Sequence, residues 1–326
     1  MSRVFLTGAT GMIGSNIAEQ LVEQGDTVRA LVRAGSDTAP LEAFGVQIVR
    51  GDITDPDAVL AAADGCEYVI HSAAVLGGQT QIAGEHHAVN VVGTGHVLDA
   101  AAKVGASRVV QLSTTTFFDA KTAPLTEHSP LDPDPSDDPY TVTKRAAYLD
   151  AMRRVGEGQD ICIVISGGAY GTSPLPERSM VAPSYNARIA LALAGEITEY
   201  VGFPIPWVYA GDVARASVVA TRKGVAGERY LAFGRPGDVG GVPWFCNAAL
   251  EIAGSDKRVT EVAVAELDDP DVADRFGPSL VALARKHFPS PFFVNDQTVE
   301  RLAYEPLTLH EGLARTIPWM REHGLL

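Results

Sequence analysis

The sequence predicts an α/β protein with a doubly wound parallel sheet and a smaller, discontinuous α/β region attached to it. Three observations carry this prediction. Short β-branched runs alternate with stretches of helical period up to about residue 165, and a glycine-rich turn follows the first run. Beyond residue 165 the alternation loosens, and Gly, Pro and Ser concentrate in residues 166–183. Strand–helix alternation of this kind specifies a parallel sheet with helices on both faces.

Six apolar runs mark the predicted strands of the sheet. They lie at residues 4–6, 28–32, 46–49, 68–70, 109–112 and 161–165. A helix is predicted at 12–23, because Ile13, Ile17 and Leu21 lie four residues apart and Gly25 is a typical helix end. The same alternation of strand and helix continues to the sixth run.

Elements after residue 165 are less regular. Helices are predicted at 185–194 and 212–221, and a strand at 207–209, the last two as additions to the first sheet. A final helix is predicted around 309–321, where Pro318 should kink or shorten it.

The charge balance argues against two classes of partner. The 326 residues include 40 acidic and 26 basic side chains, a formal net charge of −14. Nucleic acids and anionic membranes are bound by concentrated Lys and Arg, which this chain lacks. No apolar run reaches the roughly 18 to 20 residues of a membrane span. A cytoplasmic protein is expected, with Cys66, Cys162 and Cys246 as separate buried thiols in a reducing compartment.

A glycine pattern follows the first predicted strand. Such glycines let the backbone turn sharply, bring a diphosphate to the N–H groups at a helix start, and let the helix pack on the strand. Because a strand precedes the pattern and an amphipathic helix follows it, we predict a dinucleotide-binding βαβ unit of the Rossmann type. Its candidate cofactor-binding residues are Gly8, Thr10, Gly11, Met12, Ile13 and Gly14.

The predicted domains are interleaved in the chain. Residues 1–165 and about 206–234 are assigned to the dinucleotide-binding domain, and about 166–205 and 235–326 to a substrate-binding region. The shape of the substrate-binding region cannot be read from its residues.

Arg33 ends the second predicted strand, 19 residues past Gly14. An acidic residue is usual there in NAD-binding chains, whereas an arginine fork binds the 2′-phosphate of NADP. Arg33 therefore predicts NADP(H), with NAD(H) as the second choice and a solvated strand-end arginine as the alternative. Asp52, after the third strand, is a candidate for the adenine amino group, or equally a helix cap.

Tyr140 and Lys144 lie four residues apart and share one face of a predicted helix. An ammonium group beside a phenol favours the phenolate and eases proton exchange, and the same lysine can bind a ribose. A hydroxyl cluster at Thr114, Thr115 and Thr116 ends the fifth strand, where it can hold a carbonyl oxygen. Both features also have structural interpretations, as a solvated helix face and as packing at a strand end.

Several motifs in the right order resemble the extended branch of the short-chain dehydrogenase/reductase superfamily, over nearly the whole chain. They are Gly8, Gly11 and Gly14; Gly51-Asp52-Ile53; His71-Ser72-Ala73-Ala74; Asn90-Val91-Val92-Gly93-Thr94; Leu112-Ser113-Thr114; and Tyr140 with Lys144. Within that branch, residues 28–33, 208–214 and 227–231 are most similar to dihydroflavonol-reductase-like carbonyl reductases. Residues 165–171 depart from the family, because they lack its usual Arg-Pro pair.

The resemblance implies a role for each matching residue. Tyr140 would be the general acid/base, Lys144 the ribose ligand and activator of Tyr140, Thr114 the hydroxyl that orients the carbonyl, and Asn90 the asparagine that shapes the site. Ile53, Ser72, Ala73 and Ala74 would join Asp52 in binding the cofactor. A homodimer through helices at about 88–104 and 140–155 is also implied, with Ala146, Ala147, Leu149 and Met152 as its apolar face.

The resulting hypothesis is an NADP-dependent oxidoreductase that interconverts a small-molecule ketone or aldehyde with an alcohol. Its alternatives are a nucleotide-sugar epimerase or dehydratase with a recycled cofactor, and a non-catalytic NADP-sensing protein. No metal site is expected, because adjacent side chains in Glu85-His86-His87 point apart. Tyr185, Phe203, Trp207 and Tyr209 are candidates for an apolar pocket or for the core.

Overall fold

The computed structural model describes residues 1–80, 82–119, 121, 124–286 and 292–326. Residues 287–291 of the predicted substrate-binding region therefore lie outside the described residues. The strands are β1 (Arg3–Thr7), β2 (Thr27–Val32), β3 (Gln47–Arg50), β4 (Tyr68–His71), β5 (Arg108–Thr114), β6 (Leu125–Thr126), β7 (Ile161–Ser166), β8 (Gly168–Tyr170), β9 (Glu199–Gly202), β10 (Ile205–Tyr209), β11 (Arg229–Ala232), β12 (Val239–Gly240), β13 (Thr260–Ala263) and β14 (Phe293–Val294).

The α-helices are α1 (Met12–Glu23), α2 (Ala39–Ala43), α3 (Pro56–Ala63), α4 (Glu85–His87), α5 (Thr94–Lys103), α6 (Pro139–Gly156), α7 (Pro176–Ser179), α8 (Tyr185–Ala194), α9 (Ala210–Lys223), α10 (Val242–Ile252), α11 (Pro270–Ala273), α12 (Pro278–Lys286), α13 (Asp296–Leu302) and α14 (Leu309–Glu322). A π-helical segment (Ala88–Gly93) joins α4 to α5, and a 3₁₀ segment (Val264–Asp268) precedes α11.

The large sheet is parallel and has the order β11-β7-β5-β4-β1-β2-β3. Its predicted strands are all present, so the doubly wound α/β class is confirmed. One apolar core lies between the sheet and the face covered by α1 and α9, and a second lies under α3, α5 and α6. Both faces are covered, which explains why these strands read as continuous apolar runs.

The strand order places a crevice at the carboxyl ends of β1 and β4. From β1 the chain moves outward through β2 and β3, and then returns to the other side of β1 as β4. Open parallel sheets bind ligands where the order reverses in this way. The turn after β1 and the loop after β4 therefore meet at the expected ligand site.

A separate region carries its own aromatic core. A small sheet of β12, β10 and β8, together with α8, α10 and α14, encloses a cluster in which Trp207 stacks on Phe245 with ring centroids 4.0 Å apart. The prediction that residues 207–209 extend the large sheet is wrong, because they lie in β10 and pair with β8. The seventh strand of the large sheet is β11 instead.

The physical reason for this correction is a pair of glycines. A Cβ on Gly167 would lie 2.1 Å from the Pro206 carbonyl oxygen, so β10 can approach the end of β7 only where a side chain is missing. Gly168 then pairs with Trp207, whose indole belongs to the small core. The predicted helix at 212–221 is present within α9 and does pack on the large sheet.

Three smaller predictions are also resolved. α14 is not shortened by Pro318, since it continues to Glu322. Cys66, Cys162 and Cys246 are free and buried, as predicted. No helix in the described part of the chain has the length and apolar character needed to cross a bilayer.

Candidate active site

The turn between β1 and α1 is packed backbone against backbone. Gly8 has a φ of +77°, and a Cβ there would lie 2.7 Å from the Ala73 nitrogen. A Cβ on Gly14 would lie 2.0 Å from the Gly8 carbonyl oxygen. Side chains are therefore excluded at both positions, and α1 starts directly against the end of β1.

The start of α1 is open to an anion. Gly11 is its N-cap and supplies no side-chain hydrogen bond, and the first turn holds no acidic residue. The amides of Met12 and Ile13 belong to the first turn, where helical N–H groups have no intrahelical partner. Thr10 lies immediately before this turn. These residues fit the phosphates of a dinucleotide, which a helix N-terminus binds through free N–H groups and its dipole.

The loop after β4 is held by a chain of hydrogen bonds that centres on buried His71. The Thr94 hydroxyl donates to the Asn90 carbonyl at 2.7 Å, so it accepts from His71 Nε2, 2.9 Å away. Nδ1 of His71 then accepts from the Thr7 hydroxyl at 2.7 Å, and that oxygen accepts from the Ala73 amide at 3.3 Å. Burial and the nearby Lys144 charge lower the pKa of His71 to about 3, so the ring is neutral at physiological pH.

The predicted residues Ser72, Ala73 and Ala74 follow this histidine. The Ser72 amide donates to the Thr7 carbonyl at 3.3 Å, which continues the pairing of β4 with β1. All three side chains are partly exposed at the crevice. Ile53 is 8% exposed and closes the neighbouring part of the crevice, where it leaves no space for a side chain on Gly93.

Arg33 and Asp52 lie at the outer end of the crevice. The exposed Arg33 guanidinium has no hydrogen bond or ion pair within the described residues, so it is free to bind an anion. The Thr54 hydroxyl, and more weakly Arg33, lower the pKa of Asp52. The side chain of Asp55 caps α3, so the interpretation of Asp52 as the helix cap is wrong. Asp52 instead accepts from the amide and hydroxyl of Thr54.

Tyr140 and Lys144 lie on the first turns of α6. Asp138 caps this helix by accepting from the Thr141 amide at 3.0 Å, and Pro139 is its first residue. The Tyr140 side chain interacts with that of Thr114 at the end of β5, and this interaction acts to lower the pKa of Tyr140. The Lys144 ammonium is buried and donates to the Leu112 carbonyl of the same strand at 2.8 Å. The structure therefore brings three of the four predicted catalytic residues together, and Asn90 is the fourth.

This contact distinguishes Thr114 from its neighbours. Thr114 is the last residue of β5, whereas Thr115 and Thr116 lie beyond the strand. The Thr116 hydroxyl is buried and has no hydrogen-bond partner among the described residues. Of the three candidate hydroxyls, the one on Thr114 is the group that contacts Tyr140.

The protonation of Tyr140 differs from the sequence prediction. Burial raises the pKa of Tyr140 to about 12, and the hydrogen bond with Thr114 opposes the rise only in part. Burial also lowers the pKa of Lys144 to about 8. Burial is therefore the main cause of the raised pKa of Tyr140, and the neighbouring lysine does not offset it. At neutral pH the pair consists of a protonated phenol and an ammonium group.

The Asn90 side chain bonds to neighbouring protein groups and does not face a substrate. Its side-chain oxygen accepts from the Val75 amide at 2.8 Å, and its nitrogen donates to the Val75 carbonyl and to the Thr143 hydroxyl. Thr143 lies in α6 between Tyr140 and Lys144. Asn90 therefore ties the loop after β4 to the catalytic helix and acts on the site through them.

Of the four aromatic residues predicted for an apolar pocket or for the core, three lie in the core and one lies at the site. Trp207, Phe203 and Tyr209 are buried in the core of the small region. Tyr185 is half-buried and close enough to Tyr140 to raise the pKa of that phenol slightly. The Tyr185 ring packs edge-on against Trp207, with centroids 4.7 Å apart. Tyr185 is thus the aromatic residue that connects the small region to the catalytic group.

Sequence reasoning missed His71, Thr7 and Thr94 as members of the site. A signal was present, because His71 ends an otherwise apolar strand at the edge of the sheet where ligands bind. The partners of this histidine were not readable, since they lie 64 and 23 residues away along the chain. The Glu85-His86-His87 segment is part of α4, and the described residues hold no cluster of three metal ligands.

A glycine-lined helix start, a chain of buried hydrogen bonds and a Tyr–Lys–Thr group along one crevice define a dinucleotide-dependent enzyme of the extended short-chain dehydrogenase/reductase class. A family model described as NAD dependent epimerase/dehydratase family matches residues 4–232. The chain belongs to this family.

Three similar proteins show how varied the reactions in this family are. Sterol demethylase protein B of Methylococcus capsulatus is 28% identical, over 98% of this chain and 99% of that protein. The 4-hydroxy-2-methyl-3-oxo-4-farnesyl-3,4-dihydroquinoline-1-oxide ketoreductase of Stigmatella aurantiaca is 33% identical, over 54% and 53%. The structure of dTDP-glucose 4,6-dehydratase from Streptomyces venezuelae, with NAD bound, has a TM-score of 0.77 and 25% identity over 98% and 97% of the two chains.

Proposed function

We propose that this protein is an NADP-dependent oxidoreductase that interconverts a ketone or aldehyde with an alcohol. The observation that carries the proposal is the half-buried Tyr140, whose side chain interacts with that of Thr114 and lies one helical turn from the Lys144 ammonium. The similarity to a ketoreductase supports the same reaction type.

A bound nicotinamide supplies the hydride that reduces the carbonyl carbon, or accepts it in the reverse direction. Tyr140 donates its proton to the carbonyl oxygen, and its raised pKa keeps that proton available at neutral pH. Thr114 donates a hydrogen bond that orients the same oxygen. The Lys144 ammonium stabilises the phenolate that remains after the transfer, until a proton from solvent restores the phenol.

The test of this proposal is Tyr140→Phe, with Tyr148→Phe as the matched control. Both tyrosines lie on α6, but the Tyr148 ring is buried against Phe117 and Phe118. Loss of a general acid costs about a hundredfold to ten-thousandfold in rate. We expect that loss in kcat for the first variant alone, with unchanged cofactor affinity. Retained turnover in Tyr140→Phe would remove the phenol from the mechanism, and with it the catalytic proposal.

NADP is the proposed cofactor because Arg33 is unpaired at the place where the 2′-phosphate is bound in this fold. The structure of the dTDP-glucose 4,6-dehydratase holds NAD, which is the alternative cofactor. In Arg33→Asp, the ratio of kcat/KM for NADPH to that for NADH should fall by at least about tenfold. This is the effect expected from the loss of one charge-assisted contact. An unaltered ratio would dispose of the preference for NADP.

The second candidate function is that of a nucleotide-sugar epimerase or dehydratase, which the family description and the similarity to dTDP-glucose 4,6-dehydratase favour. Such enzymes regenerate their cofactor within the catalytic cycle. Absorbance at 340 nm separates the two functions, because a carbonyl reductase consumes one NADPH for each alcohol formed. Turnover without net consumption of NADPH would favour the second candidate. A non-catalytic NADP sensor would show no turnover with either class of substrate.

A homodimer is proposed from the apolar side chains near the catalytic helix. Val142 and Leu149 of α6 and Val92 of the π-helical segment are exposed by 50%, 44% and 40%. Of the apolar residues predicted for this face, Ala147 is buried in the monomer core and Met152 packs against it. Light scattering should give twice the monomer mass, and Leu149→Asp should reduce it. The free, buried cysteines support a cytoplasmic location.

A further inference from the structure

The loop between β2 and α2 is held by one arginine of the neighbouring strand. Arg50 ends β3, and its guanidinium donates to the Arg33 carbonyl at 3.3 Å and the Ser36 carbonyl at 2.9 Å. The same guanidinium donates to the Thr38 hydroxyl at 2.6 Å, and that hydroxyl donates to Glu42 at 2.9 Å. Three groups of a six-residue loop are thus fixed to a single side chain.

Fixing these carbonyls sets the direction of the amides on the other side of the loop. In a trans peptide the C=O and the following N–H point in opposite directions. Because the carbonyls of Arg33 and Ser36 face Arg50, the N–H groups of Ala34 and Asp37 face away from it. Neither amide has a hydrogen bond among the described residues. Gly35, with a φ of +80°, permits the turn between them.

Two side chains add free donors to the same loop. The Arg33 guanidinium and the Ser36 hydroxyl make no hydrogen bond within the described residues. The Asp37 carboxylate accepts from the Ala39 amide at the start of α2. The loop therefore carries a cation, a hydroxyl and two backbone amides, the donor set that binds a phosphomonoester.

We propose that Arg50 is a positioning residue for the 2′-phosphate of the cofactor, and that Ser36 is a second ligand of that phosphate beside Arg33. The inference rests on the proposed preference for NADP. Arg50 acts by holding the loop in the shape that presents these donors, and its guanidinium is already occupied by the loop carbonyls. A lysine ammonium carries its donors on one nitrogen and lacks the two-nitrogen fork by which Arg50 contacts the two carbonyls and the hydroxyl.

The experiment compares Arg50→Ala and Arg50→Lys with Arg33→Ala and a matched control, Arg29→Ala. Arg29 lies on β2, four residues before Arg33, and also donates to backbone carbonyls, those of Ala62 and Asp64. Binding is measured by calorimetry with adenosine 2′,5′-bisphosphate and with ADP, and by nicotinamide fluorescence with NADPH and NADH. Thermal unfolding of each variant verifies that it is folded.

Arg50→Ala should weaken binding of adenosine 2′,5′-bisphosphate and NADPH about tenfold, which corresponds to about 1.4 kcal/mol. Its affinity for ADP and NADH should stay within about twofold of the wild type, as should all affinities of Arg29→Ala. Arg50→Lys should resemble Arg50→Ala, because the charge is kept and the fork is lost. Ser36→Ala should reduce the same two affinities by a smaller factor.

Each of the other outcomes contradicts either the positioning role of Arg50 or the preference for NADP. Wild-type affinity for NADPH in Arg50→Ala, together with a loss in Arg33→Ala, would overturn the inference and leave the proposed function standing. Full recovery in Arg50→Lys would show that charge suffices, and an equal loss for NADH would show general damage to the sheet edge. Either result overturns the positioning role. No change in Arg33→Ala, or no preference for the 2′-phosphate in the wild type, would reject the choice of NADP itself.

Discussion

The two sides of the crevice are built by different kinds of contact. On the cofactor side, backbone meets backbone at Gly8 and Gly14, and buried hydrogen bonds run through His71. On the side of the small region, which we propose binds the substrate, aromatic rings such as Tyr185 and Trp207 pack edge to face. A glycine at a contact between two backbones cannot be replaced by a residue with a side chain, whereas a packed ring can be replaced by another of similar volume. The difference suggests that the cofactor side fixes the chemistry and the substrate side sets the choice of substrate.

The two sides are nevertheless joined at α1. Ser15 and Ser173 share a buried hydrogen bond of 3.0 Å, and Asn16 donates to the Thr172 carbonyl at 3.0 Å. Helix α1, whose start is the expected phosphate-binding site, therefore also holds the segment that leads into the small region. A displaced α1 would therefore disturb both sides of the crevice.

The most extensive expected effect, on cofactor binding and on stability together, follows from Gly14→Ala. The new methyl group would lie 2.0 Å from the Gly8 carbonyl oxygen, so α1 must move away from β1. We expect cofactor affinity to fall by at least about tenfold, and stability by about 1–3 kcal/mol, the usual range for an overpacked site. Fluorescence titration with NADPH and denaturant unfolding measure the two effects.

The control for that variant is Gly95→Ala. Gly95 lies inside α5, and a methyl group there would meet no atom within 4 Å. Its stability should stay equal or rise by up to about 1 kcal/mol, because alanine is the better helix former. If both alanine variants bind NADPH equally well, the close packing of α1 on β1 is not what forms the phosphate-binding site.

A narrower effect, confined to the chemical step, is expected for Thr114→Val. Valine keeps the β-branched shape at the end of β5 but cannot hydrogen-bond to Tyr140 or to a carbonyl oxygen. Loss of one such donor costs about a hundredfold to a thousandfold in kcat. Thr116→Val is the control, since its buried hydroxyl has no partner in the described part of the chain. A larger loss in the control would transfer the role to Thr116.

The dependence of the rate on pH is the next expected effect. Burial lowers the pKa of Lys144 from 10.5 to about 8, so the ammonium is present below that pH and is lost above it. In the direction of carbonyl reduction, kcat/KM should therefore fall as pH rises through about 8, by up to about tenfold for each further pH unit. Tyr140, whose pKa is raised to about 12, keeps its proton throughout. A flat profile up to pH 10, with the protein folded by circular dichroism, would show that the lysine charge is not used.

The sequence predicts the cofactor side well, because the information there is local. Met12–Glu23 is found as α1 with the predicted bounds, and Gly8, Gly11 and Gly14 form the predicted turn. Each of these features depends on residues a few positions apart. The partners of His71 are not local, and hydrogen bonds over such separations leave no periodic signal in the chain.

The substrate side is predicted less well for the same physical reason. Residues 207–209 read as another strand of the large sheet, since a short apolar run carries no mark of the sheet to which it belongs. Their place is decided by Gly167 and by the stacking of Trp207 on Phe245, nearly 40 residues later in the chain. The raised pKa of Tyr140 was missed because burial of the phenol depends on both regions at once.

The smallest expected effect, and the sharpest test of the division between the two sides, is that of Tyr185→Phe. This variant keeps the ring that packs on Trp207 and lies 5.0 Å from the Arg188 guanidinium, and it removes only the hydroxyl. We expect KM for the carbonyl substrate to change by about threefold to tenfold, the size of one hydrogen bond, while the Kd for NADPH is unchanged. Initial rates and fluorescence titration give the two numbers for one preparation. An equal change in Kd would mean that α8 affects cofactor binding as strongly as substrate binding. The effect would pass through Asn186 of α8, which lies beside Met12 of α1. The crevice would then be one coupled site and not two separable sides.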